Sequence, residues 1–212
     1  MNVIERITTS KVIAIIRGDY TQQAVRVMAS TLYETGVQAL EVTMNSSGAL
    51  TLVAMLAAEF GDRMLIGAGT VTAPDQVKAV AQAGGRFIVS PETYAPVIIA
   101  AEALGMEPIP GAYTPTEIMA AWRLGARLIK VFPASVGGPD YIKAIRAPLS
   151  QVAMVATGGI EIADVSAYLA AGAAAVGMGG ALIPGQFDGS AKAVALLNAR
   201  GQALRAQVTT KM

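Results

Sequence analysis

An α/β fold closed into a (β/α)8 barrel of the TIM type is predicted by three observations. Short apolar runs alternate with longer amphipathic stretches along the whole chain. There are eight runs, beginning roughly every 20–27 residues. At 212 residues the chain has the length of one barrel domain. Strand–helix alternation calls for parallel strands joined by helical crossovers. A doubly wound open sheet is the structural alternative; the count of eight and the lack of a switch-point signature favour the barrel. The predicted domain spans residues 1–212, led by a short amphipathic helix that starts at Asn2-Val3-Ile4-Glu5-Arg6-Ile7.

In chain order, the strands are expected at 12–16, 37–42, 64–67, 86–89, 107–109, 127–131, 152–156 and 173–178. The helices between and after them are expected at 21–34, 47–59, 74–83, 92–104, 115–124, 139–145, 162–171 and 190–206. Thr72-Ala73-Pro74 and Thr114-Pro115 place a threonine near the cap and a proline in the first turn. Gly36, Gly84, Gly105, Gly125 and Gly172 stand where helices should stop.

Composition excludes several functions. Net charge is +1 with no basic cluster, so nucleic-acid binding has no support. No apolar run approaches the ~18 residues of a membrane span, and no basic leader precedes an apolar stretch, so a cytoplasmic protein is expected. Without cysteine there are no disulfides, thiolate nucleophiles or Cys-ligated metals. The absence of histidine is a sharper constraint, because it removes the commonest general base and the commonest metal ligand. Catalysis must then rest on Lys, Glu, Asp, Arg, Tyr, Ser or Thr, or on an oxygen-bound Mg²⁺. With 53% hydrophobic residues, a buried subunit interface is also plausible.

Lys130 is the most informative position. It lies in Arg127-Leu128-Ile129-Lys130-Val131-Phe132-Pro133, where both faces of the strand are otherwise apolar. Lysine is almost never fully buried alone, and desolvation lowers its pKa. At the reference pKa of about 10.4, roughly one amine in a few thousand is neutral at pH 7. A pKa near 7 would make about half of them neutral, a difference of roughly 4–5 kcal/mol in solvation. A neutral amine attacks carbonyl carbons. The alternative is a strand-end lysine with its ammonium in bulk water.

Functional residues of a barrel gather at the C-terminal strand ends. Here those ends are Arg17-Gly18, Glu41-Val42-Thr43-Met44-Asn45, Gly67-Ala68-Gly69-Thr70, Ser90-Pro91, Pro110-Gly111, Phe132-Pro133, Thr157-Gly158-Gly159 and Gly177-Met178-Gly179-Gly180. Gly158-Gly159 and Gly179-Gly180 follow strands seven and eight, where barrels often bind phosphate through backbone N–H groups; tight turns are the alternative. Glu41 is the only carboxylate at these strand ends. Beside Lys130 it could shuttle protons, or form a buried ion pair that only supports the barrel centre. Arg17 suits a substrate carboxylate, or a salt bridge to a neighbouring loop. Thr70 could donate a hydroxyl or cap the helix near Pro74.

Together these segments resemble the class I 2-keto-3-deoxy-6-phosphogluconate (KDPG) and 4-hydroxy-2-oxoglutarate (KHG) aldolases. The matching motifs are Ile15-Ile16-Arg17, Leu40-Glu41-Val42-Thr43, Ile66-Gly67-Ala68-Gly69-Thr70-Val71, Val89-Ser90-Pro91, Lys130-Val131-Phe132-Pro133-Ala134, Thr157-Gly158-Gly159 and the turn before Ala181-Leu182. They run in order over nearly the whole chain. The resemblance implies a homotrimeric barrel that needs no cofactor and no metal, with pyruvate and a phosphorylated keto-deoxy sugar acid as its ligands. It also implies a place in Entner–Doudoroff carbohydrate breakdown.

Carried over residue by residue, Lys130 would be the Schiff-base lysine and Glu41 the proton carrier. Arg17 and Thr70 would hold the pyruvyl carboxylate, Phe132 would wall the iminium, and Pro91 would shape the cavity floor. Gly158, Gly159, Gly179 and Gly180 would hold phosphate, with Thr157 near the substrate's C4. Two positions depart from the family pattern. Asn45 stands where many members have arginine, and Gly180 where many have a phosphate-binding serine. Asn45-Ser46 resembles the branch acting on the galactonate epimer (KDPGal); Thr157 resembles the gluconate branch and sets the expected substrate as KDPG. A phosphosugar isomerase, epimerase or phosphate-linked synthase on the same barrel, and a non-catalytic barrel, are the rival readings.

Overall fold

The computed structural model describes residues 1–209; residues 210–212 of the predicted domain lie outside the described residues. Helix α1 (Val3–Ser10) is followed by strands and helices in the expected alternation. They are β1 (Val12–Ile16), α2 (Gln22–Glu34), β2 (Ala39–Thr43), α3 (Ala49–Phe60), β3 (Leu65–Gly69) and α4 (Pro74–Gln82). Next come β4 (Phe87–Val89), α5 (Ala95–Ala103), β5 (Glu107–Ile109), β6 (Gly111–Ala112), α6 (Pro115–Arg123) and β7 (Leu128–Val131). The chain continues through α7 (Ala134–Arg146), β8 (Ala153–Thr157), α8 (Val165–Ala170), β9 (Ala175–Met178) and α9 (Ala191–Thr209). A 3-10 turn, Ile162–Asp164, leads into α8.

The strands lie side by side in the order β5-β4-β3-β2-β1-β9-β8-β7-β6, and each pairing is parallel. The two ends of that order, β5 and β6, are halves of one strand interrupted at Pro110. Proline has no N–H for the ladder, so the strand divides there. The Pro110 carbonyl still accepts from Lys130 N–H at 2.9 Å, and the ring closes through this residue. The eight expected strands are thus nine segments, with the fifth counted twice.

Strand alternation sorts the core into two shells. Ile13, Ala39, Leu65, Phe87, Val89, Ile109, Leu128, Val155 and Ala175 fill the inside of the barrel. The opposite faces, with Leu40, Ile66, Ile88, Ile129 and Val176 among them, pack against the surrounding helices. Ile7 of α1 is fully buried in the inner cluster, flanked by the partly buried Val3 and Ile4, so α1 stoppers the N-terminal end. Among helix signals, Thr114 forms a capping box with Glu117, and the five stop glycines all have positive φ, from 68° at Gly105 to 105° at Gly125. Ala73, not a threonine, holds the cap position of α4 and makes no side-chain cap bond. Helix α7 begins five residues before the expected 139, because a first turn forms ahead of a break at Gly138 (φ 68°, ψ −172°) and Pro139 restarts the helix.

Candidate active site

Lys130 points into the barrel from β7, between Gly111 of β6 and Val155 of β8. Glu41 points in from β2, between Ile15 of β1 and Gly67 of β3. Both are buried, at 6% and 2% exposure. The glycines of β3 explain how a carboxylate fits at this depth. A Cβ at Gly69 would collide with Glu41 Oε1, and one at Gly67 with the Phe87 ring and backbone. Gly177 likewise leaves room for the Thr157 side chain.

Burial pushes the Lys130 amine below the usual lysine range; the Glu41 carboxylate opposes this and the Arg17 guanidinium adds to it. Burial likewise pushes Glu41 up, to about 7, against the pull of Lys130 and Arg17. Both residues are thereby moved toward their neutral forms near pH 7. Among the described residues the two form no direct ion pair. The Lys130 Nζ stands 4.6 Å from the centroid of the Phe132 ring.

Lys130 sits at the junction of two spaces. Above it a cavity of about 410 Å³ opens at the C-terminal strand ends, lined by Arg17, Phe132, Thr157, Gly158, Gly159, Gly179 and Gly180 among others. Beneath it a space of about 10 Å³ is enclosed by Glu41, Ile13, Val89, Ile109 and Val155. That is about the least volume that holds one water. Thr157, 5% exposed, also borders both spaces.

Arg17 Nη2 donates to Thr70 Oγ1 at 3.4 Å. Thr70 has φ 57°, a left-handed conformation uncommon for a β-branched residue and typical of strained functional positions. It therefore faces Arg17 instead of capping α4. Arg17 makes no ion pair among the described residues.

In the loop after β8, Gly158 (φ 95°) and Gly159 (φ 70°) adopt the positive-φ backbone that favours glycine. A Cβ there would strike the Phe132 ring and Ser135 Oγ respectively. The N–H groups of Gly159, Ile160, Gly180 and Ala181 have no hydrogen-bond partner among the described residues. A Cβ at Gly180 would meet nothing within 4 Å.

Two expectations shift. Pro91 is exposed and does not line the cavity; its carbonyl packs where a Gly111 Cβ would be. The floor is made by Val89, Ile109 and Val155; alternation turns Val89 inward, and β4 ends there, two residues before Pro91. Asn45 is exposed and outside the cavity lining, while Ser46 is buried and structural. Its hydroxyl lies 2.9 Å from Thr43 Oγ1 and accepts from Gly18 N–H at 3.1 Å, tying the β2 loop to the β1 loop. Sequence reading does not single out Tyr20 and Glu161, which line the same cavity. Neither stands at a strand end, so only the folded loops reveal them.

The family model for KDPG and KHG aldolase matches residues 3–194. The 2-dehydro-3-deoxy-6-phosphogalactonate aldolase of Escherichia coli (strain K12) is 38% identical over 173 residues, 81% of this chain and 84% of that protein. The KHG/KDPG aldolase of the same organism is 37% identical over 165 residues, 77% and 76% of the two chains. A crystal structure of KDPG aldolase from Legionella pneumophila, with pyruvate captured at low pH as a covalent carbinolamine intermediate, superposes with a TM-score of 0.81. It is 30% identical, and the match covers 98% of this chain and 96% of that one.

Proposed function

The chain belongs to the KDPG and KHG aldolase family, and from that premise we propose that it cleaves a 2-keto-3-deoxy-6-phospho sugar acid to pyruvate and glyceraldehyde 3-phosphate through a Schiff base on Lys130. The observation that carries this reading is a buried lysine, displaced toward its neutral form, beside a buried glutamate whose pKa is raised to about 7.

The neutral Lys130 amine attacks the C2 ketone, and loss of water gives an iminium. The iminium draws the electrons of the C3–C4 bond while Glu41, directly or through a water, takes the C4 hydroxyl proton. The aldehyde leaves, and the enamine is protonated and hydrolysed to pyruvate. A carboxylate with a pKa near 7 can both accept and return a proton at neutral pH, which suits Glu41 to each of these transfers. Arg17 and Thr70 hold the pyruvyl carboxylate, and Phe132 walls the iminium. The free backbone N–H groups beside Gly158, Gly159, Gly179 and Gly180 hold the phosphate.

KDPG is the proposed substrate, supported by Thr157 bordering the space around Lys130. The galactonate epimer is the second reading, favoured by the name of the 38% identical relative and by Asn45-Ser46. Both epimers yield the same two products. We propose a cytoplasmic homotrimer; no described helix is long and apolar enough to cross a membrane. Exposed Ile99 (57%) and Leu104 (46%) at and beside α5 leave apolar surface for a subunit contact.

Borohydride reduction in the presence of pyruvate, followed by peptide mass spectrometry, tests the mechanism. A pyruvyl adduct on Lys130 is expected. Absence of an adduct on any lysine of the folded protein would remove the Schiff-base reading.

A further inference from the structure

In the loop after β9 the carbonyls are occupied by the protein and the N–H groups are not. Gly179 O accepts from Leu182 N–H at 2.9 Å and from Ile183 N–H at 2.8 Å. Gly180 O accepts from Arg200 Nη1 at 3.2 Å. The N–H groups of Gly180 and Ala181 have no partner among the described residues. Gly180 and Ala181 line the cavity above Lys130, and Arg200 does not. The 180–181 peptide is trans, so its C=O and N–H point in opposite directions. With the carbonyl drawn outward to Arg200, the Ala181 N–H is turned to the cavity side.

Arg200 is firmly based for this task. It lies on α9 beside the buried stripe of Leu197, Gly201 and Leu204, three residues after the first and four before the last. Gly201 brings this stretch of helix against the end of α2, where an added Cβ would collide with the Thr35 hydroxyl. Arg200 itself is half-buried and makes no ion pair among the described residues, so its charge is spent on the loop carbonyl. The loop needs such a hold. A Cβ at Gly180 would meet nothing within 4 Å, and glycine lets the peptide turn over at little cost. Turned over, it would aim a carbonyl oxygen at a bound anion. A charged donor on the carbonyl opposes that rotation and polarises the peptide, which strengthens its N–H as a donor. We infer that Arg200 is a positioning residue for the phosphate end of the substrate: from outside the cavity it fixes the 180–181 peptide with its N–H toward the phosphate. The inference deepens the reading given above and rests on its phosphate site.

The test compares wild type with Arg200→Met, which keeps the apolar stem and removes the donor, and with Arg200→Lys, which restores a charged donor. KM and kcat are measured for the 6-phosphates of 2-keto-3-deoxygluconate and of its galactonate epimer, following pyruvate release. The pyruvate concentration that half-saturates borohydride trapping at Lys130 is measured beside them. Arg200→Met is expected to raise KM by about tenfold, the low end of the worth of one charged hydrogen bond because the effect passes through a peptide, and to leave kcat and trapping within about twofold. Arg200→Lys is expected to recover part of that loss. An unchanged KM in Arg200→Met, with normal trapping, overturns the inference and leaves the aldolase reading standing. A fall in kcat and trapping together with the rise in KM means general damage to the loop, and also overturns it. So does an Arg200→Lys variant as impaired as Arg200→Met. A wild type that traps pyruvate but turns over neither phosphate removes the substrate reading and the inference with it, and failure of trapping removes the mechanism itself.

Discussion

A single burial effect moves both reactive groups in opposite directions. Lys130 is pushed down and Glu41 up, so each approaches neutrality from its own side. The rate of keto-acid trapping should therefore rise with pH as Lys130 loses its proton and level off below the ordinary lysine range. A rate that climbs steadily to pH 10 would indicate a solvated amine. Glu41→Gln should slow turnover far more than it weakens pyruvate binding; equal losses would assign Glu41 to binding. The same residue has a stability signature. Its folded pKa lies above the unfolded value of about 4.5, so the folded protein holds the extra proton between those values. Stability is then greatest below pH 4.5 for this group and declines as pH rises through 7. Glu41→Gln should escape that decline, gaining on the order of 3 kcal/mol over wild type between pH 4.5 and 8. Chemical unfolding of both proteins across this range reads the difference.

The elements that carry the site were legible to different degrees, for physical reasons. Lys130 announces itself because one amine interrupts two apolar faces of a strand. The helix stops were legible because chain reversal after a helix needs positive φ, and glycine marks it. The ends of β2 and β3 were not, since the strands run on to Thr43 and Gly69 after the apolar pattern has stopped; their mutual pairing, not hydrophobicity, sustains them. The break at Pro110 disappears in the sequence because a strand and a proline-rich turn read alike there. Glu161 was hidden because an acidic residue just before a helical turn reads as a cap. At this scale Gly69→Ala should displace the Glu41 carboxylate and cut activity with little effect on the surface loops. Gly180→Ser, entering open space, should instead be tolerated and lower KM for the phosphorylated substrate by a donor's worth, about three- to tenfold. An unchanged KM would place the phosphate elsewhere.

For the molecule as a whole, the barrel is held by two shells and one stopper. Ile7 is fully buried at the N-terminal end of the inner shell, so Ile7→Ala should cost about 2–5 kcal/mol, by loss of transfer energy and by the cavity left behind. Urea unfolding at fixed protein concentration would check this, the concentration being held because association adds to apparent stability. The stopper has a consequence for turnover as well. With α1 filling one end, the 410 Å³ cavity is the described way in to Lys130. On the proposed Schiff-base mechanism, pyruvate is bonded to the deep amine while the aldehyde half lies toward the mouth. Traffic through a single doorway must be sequential: the aldehyde departs first and pyruvate last, and in the synthetic direction pyruvate enters before its partner. Product-inhibition patterns should show that fixed queue, with pyruvate competing directly with the incoming sugar acid and the aldehyde inhibiting only where the pyruvyl enzyme has accumulated.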